Sequence, residues 1–279
     1  MRFLTIIFWL LAFTAQPVSA ASSPELISVE RQLASLLASR PGEFGIAALD
    51  LKTGRSLSIN GDEPFPMAST VKVAVAAAYL AQVDHGRRAL NDRIGGQSAT
   101  SLIERMLTRS DNAATDLLIR NLGGPSTVHT WLNWNELSGI RVDRTIAQLL
   151  RDRRDLRDTR DSSTPTAMIS LLKRIDSGNV LKPASRALLL DMMSRCMTGK
   201  NRIRALLPPG TRVENKTGTL SGLTDDIGFI TMPDGRRIAV ALFARGGADR
   251  SRTIAEAARA IYDGFYTVAR APVTVVIGR

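Results

Sequence analysis

The sequence predicts an α/β fold of the α+β type. One antiparallel five-stranded sheet is built from both chain ends and flanked by helices, and an all-helical lobe lies between. Three observations predict it. Strand-like alternation is confined to residues 43–60 and 212–244. The residues between carry helical periodicity and helix punctuation. The 279 residues, 44% hydrophobic and 23% charged, suit a packed unit, and no low-complexity linker or internal repeat divides them.

The first 20 residues stand outside that fold. Arg2 precedes an apolar run from Phe3 to Ala15, and Pro17-Val18-Ser19-Ala20 offers the small residues of a signal-peptidase site. Cleavage is expected near Ala20, giving a secreted, periplasmic protein. The run is shorter than the roughly 20 apolar residues a membrane span needs. No stable membrane insertion is expected.

Pro24–Ser39 reads as an amphipathic helix with Leu26, Ile27, Val29, Leu33, Leu36 and Leu37 on its apolar face. Glu43–Leu51 and Ser56–Asn60 read as strands joined by the turn Lys52-Thr53-Gly54-Arg55. Ser69–Val83 is Ala-rich and closed by Gly86, so it reads as a helix, as does Ala113–Asn121 before Gly123-Gly124-Pro125. Thr164-Pro165 supplies an N-cap and a first-turn proline for a helix to Ile175, and Pro183–Cys196 continues the helical region. Arg212–Leu220, Asp226–Met232 and Arg237–Ala244 read as three strands, the last two joined through Pro233-Asp234-Gly235. Arg250–Val268 is a closing helix; the run Val273–Ile277 has no clear place.

Composition narrows the chemistry. One cysteine, Cys196, excludes an internal disulfide, an iron–sulfur cluster and a zinc ribbon, and two histidines, His85 and His129, leave little room for a metal site. No metal and no cofactor are expected. The formal charge is +11, but the arginines are scattered, aromatics are 5% and no basic-aromatic motif occurs, so no nucleic-acid partner is expected. His85 and His129 read as surface or helix-packing residues, Trp131 and Trp134 as core, and Cys196 as a small buried hydrophobe.

Three short motifs occur in order: Ser69-Thr70-Val71-Lys72, Ser110-Asp111-Asn112 and Lys216-Thr217-Gly218. Together they fit acyl transfer. A serine hydroxyl is a weak nucleophile and needs a base. With so few histidines, lysine is the natural candidate, and Lys72 lies one helical turn from Ser69. Burial and a second cation would lower its pKa, and Lys216 can be that cation. Ser110 would relay a proton to the leaving group, and Asn112 would offer its amide to substrate and to Lys72. Gly218 would keep a strand face bare for substrate. The N–H groups of Ser69 and Thr219 would form an oxyanion hole, and Lys216, Thr217 and Thr219 would receive a substrate carboxylate.

In these stretches the chain resembles the class A serine β-lactamases, within the wider family of penicillin-recognising serine enzymes. Phe65-Pro66-Met67-Ala68-Ser69-Thr70-Val71-Lys72-Val73, Ser110–Asp116 with Gly123-Gly124-Pro125, and Lys216–Thr219 carry the resemblance. Thr198-Gly199, Leu206-Leu207-Pro208 and Asp226-Ile227-Gly228 fit it too. It implies a β-lactamase/transpeptidase-like fold over residues 21–279, with a sheet lobe over about 21–65 and 207–270 and a helical lobe over about 66–206. It also implies a monomer that opens the β-lactam amide through a Ser69 ester. The alternatives are a D,D-peptidase or esterase on peptidoglycan-derived substrates, and a non-hydrolytic penicillin-binding protein.

Two departures stand against efficient hydrolysis. The family keeps a deacylating Glu in its Ω loop, yet no Glu lies between Glu136 and Glu214. Arg144 and Asp161 resemble the ion pair that closes that loop. Counting back from Asp161 places Gln148 at the Glu position; counting forward from Arg144 places Ile146 there. The loop is longer than usual by about two residues. Gln148 can orient a water but not take its proton; Asp152, Asp155 and Asp158 are further candidates, and Lys72 can serve both steps. Ser69 and Ser110 are 41 residues apart, roughly twenty fewer than the family has. That deletion, near Gly95-Gly96, predicts a more open cleft.

Overall fold

A computed structural model describes residues 24–153 and 155–270. The leader expected over residues 1–20 and the run Val273–Ile277 lie outside the described residues.

A short 3₁₀ turn, Pro24–Leu26, opens into α1 (Ile27–Ala38), which buries Val29, Leu33 and Leu37. A hairpin of β1 (Glu43–Asp50) and β2 (Ser56–Ile59) follows. Asp50 Oδ1 shapes its turn by accepting the Lys52 and Thr53 N–H groups at 2.9 and 3.2 Å. Next come β3 (Phe65–Pro66), a 3₁₀ turn over Ala68–Val71, α2 (Lys72–Asp84), and the small pair β4 (Arg93–Ile94) and β5 (Gln97–Ser98). The helical region continues with α3 (Ala99–Thr108), α4 (Asn112–Leu122), α5 (Pro125–Trp134) and α6 (Ile146–Arg151). After β6 (Ser162–Ser163), which pairs with β3, come α7 (Pro165–Ser177) and α8 (Pro183–Ser194). The chain returns to the sheet as β7 (Val213–Leu220), β8 (Leu223–Thr231) and β9 (Arg237–Arg245), then closes with α9 (Arg250–Arg270).

The main sheet has the order β2-β1-β9-β8-β7, antiparallel throughout. β1 pairs with β9 from Glu43↔Arg245 to Asp50↔Ile238, so the first and last strands meet at its centre. Alternation along β9 shows why it is buried on both sides. Ala239, Ala241 and Phe243 face the helical core with Val71, Met67 and the helix α2 residues. Ile238, Val240, Leu242 and Ala244 face α1 and α9 through Leu33, Leu37, Ile254, Ala258 and Ile261. Helix α2 is buried on every side from Lys72 to Ala81, as its Ala- and Val-rich sequence allows. That burial takes Lys72 out of water.

Local chemistry sets the other boundaries. Gly123 (φ +105°) ends α4 in the left-handed conformation, and Pro125 begins α5 at its first turn. The helix expected over Ser69–Val83 starts instead as a 3₁₀ turn and becomes α-helical at Lys72. Strand β8 starts at Leu223 rather than Asp226, because Ser221-Gly222 closes a two-residue hairpin with Gly222 at φ +78°. Trp134 corrects another expectation. Trp131 is buried, but Trp134 ends α5 beyond the core and is 76% exposed.

Candidate active site

The nucleophile turn follows directly from β3. Met67 N–H donates to Asp161 O at 2.9 Å, and Ala68 then takes φ +45°, a left-handed conformation that costs a non-glycine residue on the order of 1 kcal/mol. Thr70 holds it there, donating its N–H and Oγ1–H to Met67 O at 2.9 and 2.7 Å. Ser69 is thereby presented, partly exposed, on the first turn leading into α2. The Lys72 N–H closes that turn on Ser69 O and Thr70 O.

Ser110 is the second left-handed residue of the site, at φ +59°. Asp111 follows as N-cap of α4, accepting the Ala114 N–H at 2.9 Å, and Arg105 pairs with its other oxygen. This aims Ser110 and Asn112 at α2. Lys72 Nζ lies 2.6 Å from Ser110 O, 2.7 Å from Asn112 Oδ1 and 3.1 Å from Ser110 Oγ. Lys216 Nζ, from β7, lies 3.0 Å from the same Ser110 Oγ and donates to Thr217 O at 2.8 Å.

Those partners accommodate a neutral Lys72. A neutral lysine has two N–H donors and one lone pair. The two carbonyl oxygens take the donors, and the Ser110 hydroxyl donates to the lone pair while accepting from Lys216. Electrostatics agrees. Burial, and then the Lys216 charge, brings Lys72 down to about 7. Burial brings Lys216 down to about 8. Both side chains are fully buried.

Strand β7 forms the opposite edge. The Thr217 hydroxyl meets that of Thr198 at 2.5 Å, and Cys196 Sγ lies 3.3 Å from Thr198 Oγ1. Cys196 is buried as expected, but beside polar groups of the site. Arg202 braces the strand, donating to Gly218 O at 2.9 Å, Asp225 O at 2.8 Å and Thr219 Oγ1 at 2.7 Å. Gly218 has a reason beyond room for substrate. A Cβ there would lie 2.7 Å from Met67 O and 2.8 Å from Asp225 Oδ2. Only glycine lets β7 approach the nucleophile turn this closely.

The Ω-loop region is organised by Arg144. Its guanidinium meets Asp161 at 2.6 Å, Asp152 at 2.7 Å and Asp158 at 3.2 Å. Hydrogen bonding to Arg160, with the Arg144 charge behind it, brings Asp158 down to about 2. Gln148 and Asp152, expected near a deacylating water, are engaged within the loop. Gln148 Oε1 accepts the Thr145 N–H at 2.8 Å in a capping box, and Asp152 pairs with Arg144. Ile146 is buried, and Asp116 accepts the Ile146 and Ala147 N–H groups at 2.7 and 2.9 Å.

Sequence reading missed Arg202 and Asp116 as parts of this arrangement. Asp116 carried a signal, since it lies four residues after Asn112 and so on the same face of α4. Arg202 carried none, because its partners are brought to it by the sheet.

A family model described as the β-lactamase enzyme family matches residues 28–265. The chain belongs to the class A serine β-lactamase family. It is 31% identical to the extended-spectrum β-lactamase PER-1 of Pseudomonas aeruginosa, covering 88% of each chain. It is 32% identical to the β-lactamase Toho-1 of Escherichia coli, covering 88% of this chain and 92% of that one. Among solved structures, a variant of the last common ancestor of Gram-negative class A β-lactamases superposes with a TM-score of 0.81 at 35% identity, covering 86% of this chain and 99% of that one. The five-stranded sheet with its helical partner is the family's fold, and in it the two lysines meet the Ser110-Asp111-Asn112 turn beside the 3₁₀ turn that carries Ser69.

Proposed function

We propose that this chain is an exported, monomeric serine hydrolase that opens the β-lactam amide through an ester on Ser69 and releases the product slowly. The observation that carries the reading is the buried Lys72–Ser110–Lys216 chain, whose hydrogen bonds fit a neutral Lys72 beside a charged Lys216. Ser69 Oγ attacks the amide carbon, and its proton passes to Lys72. The Ser69 and Thr219 N–H groups hold the developing oxyanion. Ser110 delivers a proton to the ring nitrogen as the C–N bond breaks. Lys216, Thr217 and Thr219 receive the substrate carboxylate, and the Asn112 amide receives the acylamino side. The names of the relatives support this choice of substrate.

Deacylation is the slow half. Ile146 is apolar, while Gln148 and Asp152 are engaged within the loop. On this reading Lys72 activates the hydrolytic water, and Gln148 and Asp152 contribute at most its orientation. The same observation favours a second reading: a D,D-peptidase or esterase on peptidoglycan-derived substrates, or a penicillin binder that stays acylated. Intact-protein mass spectrometry after a short penicillin pulse separates these. An adduct that forms and decays, and is absent from Ser69→Ala, supports the hydrolase. A persistent adduct favours the binder, and folded protein with no adduct rejects Ser69 as a nucleophile toward β-lactams. Export is tested by the N-terminal sequence of the secreted protein, expected to begin after Ala20.

A further inference from the structure

Asp225 takes no part in the chemistry above, yet it lies against the nucleophile turn. It is the β8 partner of Gly218, is fully buried, and among the described residues neither carboxyl oxygen has a hydrogen-bond partner. The point where a Gly218 Cβ would sit is 2.8 Å from Asp225 Oδ2, 2.7 Å from Met67 O and 3.2 Å from Ala68 Cβ. The carboxyl therefore fills the space that a glycine leaves between β7 and the turn carrying Ser69.

No ion pair joins a cation to it among the described residues, although Arg202 Nε is also buried without a partner. Arg202 donates to the main-chain carbonyls of Gly218 and Asp225 and to Thr219. Arg250, at the start of α9, donates to Thr224 Oγ1 and Gly246 O. Lys216, on the same face of β7, is engaged by Ser110 and Thr217 O, and Arg245 of β9 pairs with Glu43 and Glu63. Asp226 projects from the other face of β8 and bonds Asn215. Met67 and Ala68 bring no titratable group. An ionised carboxylate here would be buried and unpaired, the arrangement proteins avoid by keeping the proton. Burial pushes the Asp225 carboxyl well above the usual range, against the pull of the Arg202 charge and of the Ala244 N–H.

We propose that Asp225 is a positioning residue which, as the neutral acid, holds β7 and the Ser69 turn at the spacing the Ser69 and Thr219 N–H pair requires, and which releases them on ionisation. The catalytic half rests on the acyl-enzyme reading; the protonation half does not.

The sign of the pH effect follows from linkage. The folded chain holds a proton that the unfolded chain gives up near the ordinary Asp value, so Asp225 withdraws stability as pH rises through that interval. Asp225→Asn keeps a neutral group of the same shape. Its melting temperature is expected to gain on the wild type as pH rises above the ordinary Asp range. The infrared spectrum of wild type minus Asp225→Asn is expected to show a protonated carboxyl band at neutral pH. Penicillin acylation of Asp225→Asn is expected to stay within about threefold of wild type, whereas Asp225→Ala slows it about 10²-fold through lost positioning. No carboxyl band, no pH trend, or an Asn variant as slow as the Ala variant would each overturn the proposal. If no β-lactam acylates the wild type, the acyl-enzyme reading falls, and the catalytic half of this proposal with it. The band and the pH trend then still decide whether the buried acid is neutral.

Discussion

The wall of the cleft formed by α2, α4 and β7 and the wall formed by the Ω loop are both rich in charged side chains, and they use them in opposite ways. On the first wall, Lys72 and Lys216 are fully buried and surrounded by a hydroxyl and carbonyl oxygens. On the second, Arg144 is fanned across Asp152, Asp158 and Asp161. Buried cations with neutral partners lose protons readily, so the first wall is reactive. Cations matched to carboxylates keep theirs, so the second is scaffolding. Lysine and arginine suit these roles, because the ammonium shifts when buried and the planar guanidinium gathers several acids.

The sharpest way to break the contrast is Lys72→Met. If the reactive base lies on the first wall, single-turnover acylation falls by about 10³–10⁴, the range of a lost general base. Acylation within tenfold of wild type would move the base elsewhere. Arg144→Ala tests the other wall. Removing a cation from Asp161, which is itself buried, is expected to destabilise the fold by about 3 kcal/mol in urea denaturation. A loss below about 1 kcal/mol would show that these pairs behave as surface pairs.

The two walls also predict pH signatures in separate windows. Lys72 titrates at about 7 when folded and near the ordinary lysine value when unfolded. The unfolded chain then binds the extra proton between those values, so stability rises with pH across that window. Lys72→Met removes this burden and should stabilise the fold most below pH 7, the gain shrinking toward pH 10. Asp158 is depressed to about 2, so its contribution is present above the unfolded Asp value and lost as pH falls toward 2. Thermal melts across pH separate the two. A Lys72→Met gain that stays constant with pH would reject the buried-cation account.

How legible each wall was in the sequence follows the same division. The five sheet strands could be read because alternation is local, and the three motifs because each spans three or four residues. Ser110 carried the clue of its neighbours, but not its left-handed backbone or its place between two lysines. That place depends on contacts 38 and 106 residues apart. β3 to β6 are two residues each, too short for any period to show. The start of β8 was placed three residues late, at Asp226, and nothing local told that both acids are buried. The Arg144–Asp161 pair was legible through the family resemblance, but nothing local told that Asp152 and Asp158 also gather on Arg144.

The smallest test asks how the scaffold wall is tied to the reactive one. Asp116, on the α4 face that carries Asn112, accepts the first two N–H groups of α6 with its two oxygens. Helix α6 has six residues and would not persist alone. The carboxylate satisfies donors that have no partner within the helix, at the end where the helix dipole favours negative charge. In Asp116→Asn one oxygen becomes an NH₂ group and faces an N–H as donor against donor. The expected loss is about 1 kcal/mol, with faster hydrogen exchange at Ile146 and Ala147. Gln148→Ala should cost about 0.5 kcal/mol, because that cap is exposed and the Thr145 half of the box survives. Acylation should stay near wild type in both, since neither change touches Lys72, Ser110 or Lys216. An Asp116→Asn variant with unaltered exchange at Ile146 would show that α6 is held by its packing instead. One that slowed acylation as strongly as Lys72→Met would show that the two walls do not act separately.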